Sequence, residues 1–172
     1  MPRVALLFVL FASLLAPDAL AIGTRTHAEI GRRCAERYLA GADEMLPGLG
    51  SLVAKRANLK ILYTACAFPD WGYGNINPGA GEASHWHPFM RAWADELRGR
   101  GASFDPSADM QREVAFFLGA VCHNIADIPW HFSSGGDLSF LEKSAQMEDG
   151  SHQVTEIGGD IIRYQKDRMR HW

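Results

Sequence analysis

The chain has 172 residues, 47 % of them hydrophobic and 22 % charged, so it is sized for one domain with a packed core and global disorder is excluded. Its formal net charge of −3 provides no basic surface, so no stable nucleic-acid partner is expected. The charge leaves phosphodiester hydrolysis open, because bound metal ions can supply positive charge to a site.

The N-terminal end reads as a secretory signal. Arg3 supplies the charged end, Val4 to Leu15 is an apolar run too short to span a bilayer, and Ala19-Leu20-Ala21 fits the small-x-small cleavage rule. This predicts a signal peptide over residues 1–21, a mature domain over 22–172, and a secreted, periplasmic or extracellular protein, against the plainer alternatives of an uncleaved anchor or a buried first helix. Export permits a disulfide among Cys34, Cys66 and Cys122 without demanding one. Cys34 and Cys122 fall among helical apolar positions and read as buried free thiols, and no Cys-x-x-Cys offers a thiolate zinc site.

Helices separated by Gly/Pro loops follow. Thr26-His27-Ala28-Glu29 matches a capping box, and the helical register continues to Leu39 before Gly41 ends it. A second helix is predicted over Ser51 to Ala65. Pro69 biases Phe68 toward extended backbone and puts Asp70 on a loop. Gly72 to Gly81, with its glycines and Pro78, reads as a long loop. A third helix is predicted from Pro88 to about Arg98. Asp105 and Pro106 open a fourth that is apolar most of the way round, through Val114 to Val121, and is therefore central. Pro129 is expected to kink or end it. A short helix within Asp137 to Met147 and a last one over Ser151 to Arg168 complete the pattern, with Gly158-Gly159 allowing close packing. No β alternation, repeat, Gly-rich phosphate loop or Gly-x-Ser-x-Gly appears. The fold class is all-α, a multi-helix bundle around the central apolar helix.

The chemistry concentrates in His123-Asn124-Ile125-Ala126-Asp127-Ile128-Pro129-Trp130-His131. Each step of four residues turns a helical side chain only about 40° past a full turn, so His123, Asp127 and His131 share one narrow stripe. His152 and Glu156 repeat that spacing. Imidazole and carboxylate at i, i+4 is how a helix presents ligands to zinc. A carboxylate buried on an apolar helix costs several kcal/mol without a cation beside it. Zinc would serve, and so would an Arg partner for Asp127 with His123 bonded to a backbone carbonyl. In His85-Trp86-His87 the alternating histidines point apart in extended backbone, so one of the two is a ligand candidate. Asp70 is a loop carboxylate between large apolar residues, suited to the site or to a turn. His27 lies in a first helical turn, and His171 reads as a solvated surface residue in a charged run.

Taken in order, Thr26-His27-Ala28-Glu29-Ile30-Gly31, Phe68-Pro69-Asp70, Ser84-His85-Trp86-His87-Pro88-Phe89, Ala115 to Gly119 leading to His123–His131, and Gly158-Gly159-Asp160 resemble the zinc-dependent phospholipase C family, most closely its glycosylphosphatidylinositol-specific phospholipase D branch. Single-strand-specific fungal nucleases share that scaffold. The resemblance implies up to three zinc ions. Asp70, His85, His123 and Asp127 would hold one. His131, His152 and Glu156 would hold a second. His27, a bridging Asp127 and the amine and carbonyl of Ile22, the mature N-terminus, would hold a third. It implies a secreted phosphodiesterase that hydrolyses phospholipids or glycosylphosphatidylinositol anchors at a membrane surface. There zinc would lower the pKa of a bound water to generate the attacking hydroxide, and Asp70 would orient or deprotonate that water. The Trp71 and Tyr73 segment would be either a rim that meets lipid or a packed loop. The family's domain has further helices beyond the Glu156 helix, so the resemblance also allows a truncated, non-catalytic zinc-binding module, and the shared scaffold allows a nuclease.

Overall fold

The computed structural model describes residues 23–39, 48–73, 77–102, 108–132, 139, 142–143, 158–162 and 165–166. Among them there is no strand, and the chain is all-α. The expected signal segment, Ile22, the Asp105-Pro106 helix start, His152 and Glu156 lie outside the described residues, as does most of the 137–147 and 151–168 stretches.

α1 covers Thr24–Leu39 and ends where expected. Its start differs from the capping-box expectation. Thr26 is inside the first turn, and Glu29 points to Arg32 and Arg33 at 2.6 and 2.8 Å rather than back toward Thr26. The cap comes from far along the chain. Asp160 accepts from the Thr26 amide (3.0 Å), the Thr26 hydroxyl (2.7 Å) and the Arg25 amide (3.4 Å). A carboxylate here satisfies first-turn amides and complements the helix dipole. Gly23 makes room for it, since a Cβ there would lie 2.0 Å from the Asp160 carboxyl carbon.

The predicted second helix is two helices, α2 (Leu49–Ala54) and α3 (Arg56–Ala65), separated by Lys55 in extended backbone at φ −72, ψ 114. The buried Asn58 amide donates to the Leu52 carbonyl (3.0 Å) across the break, so an acceptor that the interruption would strand is satisfied. The glycine-rich segment is also more ordered than a loop. Pro69–Tyr73 is a 3-10 helix that carries Asp70, and Pro78–Ser84 is α4, capped by the Asn77 side chain accepting from the Ala80 amide. α5 (His87–Gly99) matches the predicted third helix, with Pro88 in its first turn.

α6 (Ala108–His131) is the central helix. Its Val114 and Ala115 join Leu49, Leu52, Val53, Leu62 and Cys66 in the core. Gly119 sets how closely α6 crosses α3, because a Cβ there would lie 2.4 Å from the Leu62 carbonyl oxygen and 2.6 Å from Ala65 Cβ. Pro129 does not end α6. The helix continues to His131, and Phe132 N–H still donates to Ile128 O at 2.9 Å. Proline removes the bond to the Ile125 carbonyl, but Ile125 and Pro129 are both exposed, so that carbonyl is on the side open to water.

Candidate metal centre

Three close approaches bring the site together. Gly72 and Gly81 let the 3-10 helix and α4 meet backbone to backbone, since a Cβ on Gly72 would lie 2.4 Å from Gly81 Cα. The Gly81 carbonyl then accepts from His85 Nδ1 (2.7 Å), which turns His85 Nε2 to within 3.2 Å of Asp70 Oδ1. At the α3–α6 crossing, the Cys66 carbonyl at the end of α3 accepts from His123 Nδ1 (2.7 Å). On the other side of His123, the α1 ring of His27 stacks at 3.7 Å between centroids. A carbonyl acceptor requires the proton on Nδ1, so His85 and His123 both turn Nε2 lone pairs inward, as metal-ligating histidines do.

The inward atoms form a compact set. Asp127 Oδ2 is 3.1 Å from His123 Nε2 and 3.8 Å from His85 Nε2, and Asp70 Oδ1 is 3.2 Å from His85 Nε2 and 3.7 Å from His123 Nε2. Ligands at zinc distances of about 2.0–2.1 Å in a tetrahedron stand roughly 3.3 Å apart. The four groups therefore span a cage of that size. The other Asp127 oxygen faces elsewhere, with Oδ1 3.3 Å from His27 Nε2 and 3.9 Å from His131 Nε2. One carboxylate thus serves two separate groups of imidazoles.

Several atoms of the site lack hydrogen-bond partners. His27 Nδ1 and Nε2, Asp70 Oδ2, His123 Nε2 and Asp127 Oδ1 are buried with no hydrogen-bond partner. His27 Nε2 and Asp127 Oδ1 are near enough to bond but not aligned to do so. Orphaned buried polar atoms are costly and rare, and all of these are zinc-ligand types. His27, Asp70 and His123, and separately His85, His123 and Asp127, each place ligand atoms within 4.8 Å of one another. The donor set and its spacing fit zinc.

Electrostatics agree with this packing. Burial raises the Asp127 carboxyl, but His123 and His27 outweigh it and hold the group well below the usual carboxylate range. Burial, together with the neighbouring His123, lowers His27 although Asp127 and Asp70 act the other way. His85 is also opposed by burial, yet Asp70, the Gly81 carbonyl and Asp127 together raise it.

Six predicted site residues therefore come together: His27, Asp70, His85, His123, Asp127 and His131. His87 is exposed on α5, outside the cage. The stripe on α6 does not converge on a single point, since His123 and His131 approach different oxygens of Asp127. Trp71 is partly a packed residue, meeting Phe68 and Phe116 at 5.7 and 6.1 Å, although 43 % of it stays exposed. Sequence reasoning missed the glycine pair, the Cys66 carbonyl and Asn124, whose amide donates to the Ser84 carbonyl (3.2 Å) and ties α4 to α6.

A family model described as zinc dependent phospholipase C matches residues 26–171. Curated relatives named phosphatidylinositol-glycan-specific phospholipase D include the Bos taurus protein, 29 % identical over 92 % of this chain and 20 % of the relative. The Homo sapiens protein is 28 % identical over 81 % of this chain and 17 % of its own length. The Dictyostelium discoideum protein is 33 % identical over 60 % of this chain and 11 % of its own. The chain spans about a fifth or less of the length of these relatives. No solved structure matches it significantly.

Proposed function

The chain belongs to the zinc-dependent phospholipase C family, and from that premise we propose that it is a secreted zinc-dependent phosphodiesterase acting on phospholipids or glycosylphosphatidylinositol anchors. The observation that carries this reading is the cage of buried His and Asp atoms without hydrogen-bond partners. Asp70, His85, His123 and Asp127 would hold one zinc. His27, Asp127 through its second oxygen, and the amine and carbonyl of Ile22 would hold another. His131 with His152 and Glu156 would hold a third. Zinc in these positions supplies Lewis acidity that makes water ionisable near neutral pH and neutralises charge on phosphoryl oxygens.

The chain's own residues supply orientation and proton handling. Backbone carbonyls of Gly81 and Cys66 fix the two histidine rings. Asp70 Oδ2, buried and without a partner, orients the attacking water and takes its proton. The His123 and His27 side chains are fully buried, whereas those of His85 and His131 are 11 % and 19 % exposed, so substrate enters over that side. Trp86 and Phe132 directly follow those two histidines, are 44 % and 47 % exposed, and lie 5.8 Å apart. An apolar pair at the open side suits a substrate with acyl chains better than a polynucleotide.

The test is product analysis with the full chain, zinc, phospholipid vesicles and a glycosylphosphatidylinositol-anchored protein. The expected result is hydrolysis to phosphatidic acid or diacylglycerol, which also reports which ester bond breaks. Cleavage of single-stranded DNA with no lipid product would replace this reading with a nuclease, and zinc binding without any hydrolysis would leave a non-catalytic module.

A further inference from the structure

The two oxygens of Asp127 divide the site into halves that are supported differently. On the Oδ2 side, the Gly81 and Cys66 carbonyls aim the rings of His85 and His123. On the Oδ1 side stand His27 Nε2 at 3.3 Å and His131 Nε2 at 3.9 Å. Neither ring nitrogen of His27 is hydrogen-bonded, so its ring is held by its backbone and by stacking on His123 at 3.7 Å. That backbone is fixed from far along the chain. Asp160 Oδ1 accepts from the Thr26 amide (3.0 Å) and hydroxyl (2.7 Å), and Oδ2 accepts from the Arg25 amide (3.4 Å). These are the two residues directly before His27. Gly23 lies against the same carboxylate, with room for no Cβ. Gly159, the neighbour of Asp160, rests on the Trp130 ring, where a Cβ would lie 3.3 Å from Cη2. Trp130 directly precedes His131. Two consecutive residues, Gly159 and Asp160, thus touch the chain neighbours of both histidines on the Oδ1 side.

We propose that Asp160 is a positioning residue of the metal centre. With Gly159 it forms a strap that ties the first turn of α1 to the last turn of α6 and so sets the His27 ring beside Asp127 Oδ1. The inference rests on the zinc reading of the site given above. A residue that served α1 alone would ordinarily stand just before the helix and satisfy its first amides from there. Asp160 does that work from 134 residues away, so its bonds also fix where the turn lies relative to α6. A histidine without a hydrogen-bond partner on its ring depends on such support more than His85 and His123 do, because their rings are oriented directly. Loss of the strap should therefore weaken the Oδ1 side and leave the Oδ2 side, with its two carbonyls and Asp70, intact.

The experiment measures zinc content after dialysis, and zinc affinity by chelator competition, for the full chain and its variants, with circular dichroism to establish that each is folded. Asp160→Ala should lose part of the zinc, with affinity on the Oδ1 side falling roughly tenfold, the low end for a residue that supports a metal ligand. The zinc that it keeps should be the ion that His85→Ala removes, so the double variant Asp160→Ala/His85→Ala should lose more than either single variant. Asp160→Asn keeps an oxygen for both Thr26 bonds and should restore the parent's zinc. If Asp160→Ala does not fold, Thr26→Val, which loses only the hydroxyl bond, carries the same comparison. A folded Asp160→Ala chain with the parent's zinc content and affinity overturns the inference while leaving the zinc reading standing. So does a folded variant that loses all its zinc, or an Asp160→Asn chain as impaired as Asp160→Ala. A parent chain that binds no zinc overturns both.

Discussion

Asp127→Asn tests how the cage is held. The substitution keeps the side chain's shape but removes the charge and turns one oxygen into an amide donor. Both Asp127 oxygens face imidazole nitrogens, Oδ2 at 3.1 and 3.8 Å and Oδ1 at 3.3 and 3.9 Å. The amide therefore meets a ligand atom whichever way it turns. The Asp127 carboxyl is held below its ordinary value of 3.8, so its stabilising contribution is present above that pH and is lost as pH falls through the folded value. At pH 7 the metal-free variant should lose about 1–3 kcal/mol, a drop of roughly 2–12 °C in Tm for a chain of this size. The larger effect should appear with zinc. Free zinc at a thousand times its dissociation constant stabilises the folded chain by about 4 kcal/mol per site, and a variant without the bridging carboxylate should recover less than half of that. Differential scanning calorimetry with and without zinc, paired with metal content after dialysis, measures both quantities. A variant with the parent's zinc content and the parent's zinc-induced Tm shift would refute the shared-carboxylate argument.

Three further outcomes follow from the geometry. Gly119→Val puts carbon atoms into the α3–α6 crossing, where even a Cβ would lie 2.4 Å from the Leu62 carbonyl, and should cost about 2–4 kcal/mol by denaturant unfolding and reduce zinc retention through the displaced Cys66 carbonyl. A parent-like midpoint would show that the helices separate at no cost. Asp160→Ala removes the cap on α1 and should cost about 1 kcal/mol at pH 7, with increased amide exchange confined to the first turn near Thr26 and His27. Uniform exchange along α1 would contradict a local cap. His85 has its proton affinity raised above the ordinary 6.5, so protons compete with zinc there already near neutrality, and affinity by competition titration should fall steadily from pH 8 to pH 6. In the metal-free chain the two perturbed histidines act oppositely. Raised His85 stabilises below 6.5 and loses that contribution as pH rises through its folded value. Lowered His27 stabilises above 6.5 and loses its contribution as pH falls through its folded value. A zinc affinity independent of pH would place the binding elsewhere.

What the amino-acid order made legible was local. The spacing of His123, Asp127 and His131 placed them on one helical stripe, and Pro88 and the apolar run from Val114 marked α5 and α6 correctly. What it hid depends on contacts between distant residues. The cap of α1 is Asp160, and a local capping box could not reveal that because Glu29 finds two arginines on its own helix instead. The glycines of the 72–81 segment read as loop residues, yet Gly72 and Gly81 serve a backbone-to-backbone approach that aims His85. The break at Lys55 has no Gly or Pro to announce it, and Asn58 mends it only in three dimensions. Pro129 does not end α6, since a proline in the last turn of a long packed helix removes one bond while Phe132 N–H still donates to Ile128 O. The alternative in which His123 bonds a backbone carbonyl was half correct. It does bond Cys66 O through Nδ1, and that bond leaves Nε2 directed into the cage.

The central claim is that these buried groups hold zinc, and the most direct measurement is metal content of the purified full chain by inductively coupled plasma mass spectrometry after dialysis against metal-free buffer. The cage and the divided Asp127 carboxylate predict retained zinc, with loss on His123→Ala. A folded chain that retains no zinc, or that retains it undiminished in His123→Ala, would contradict the account.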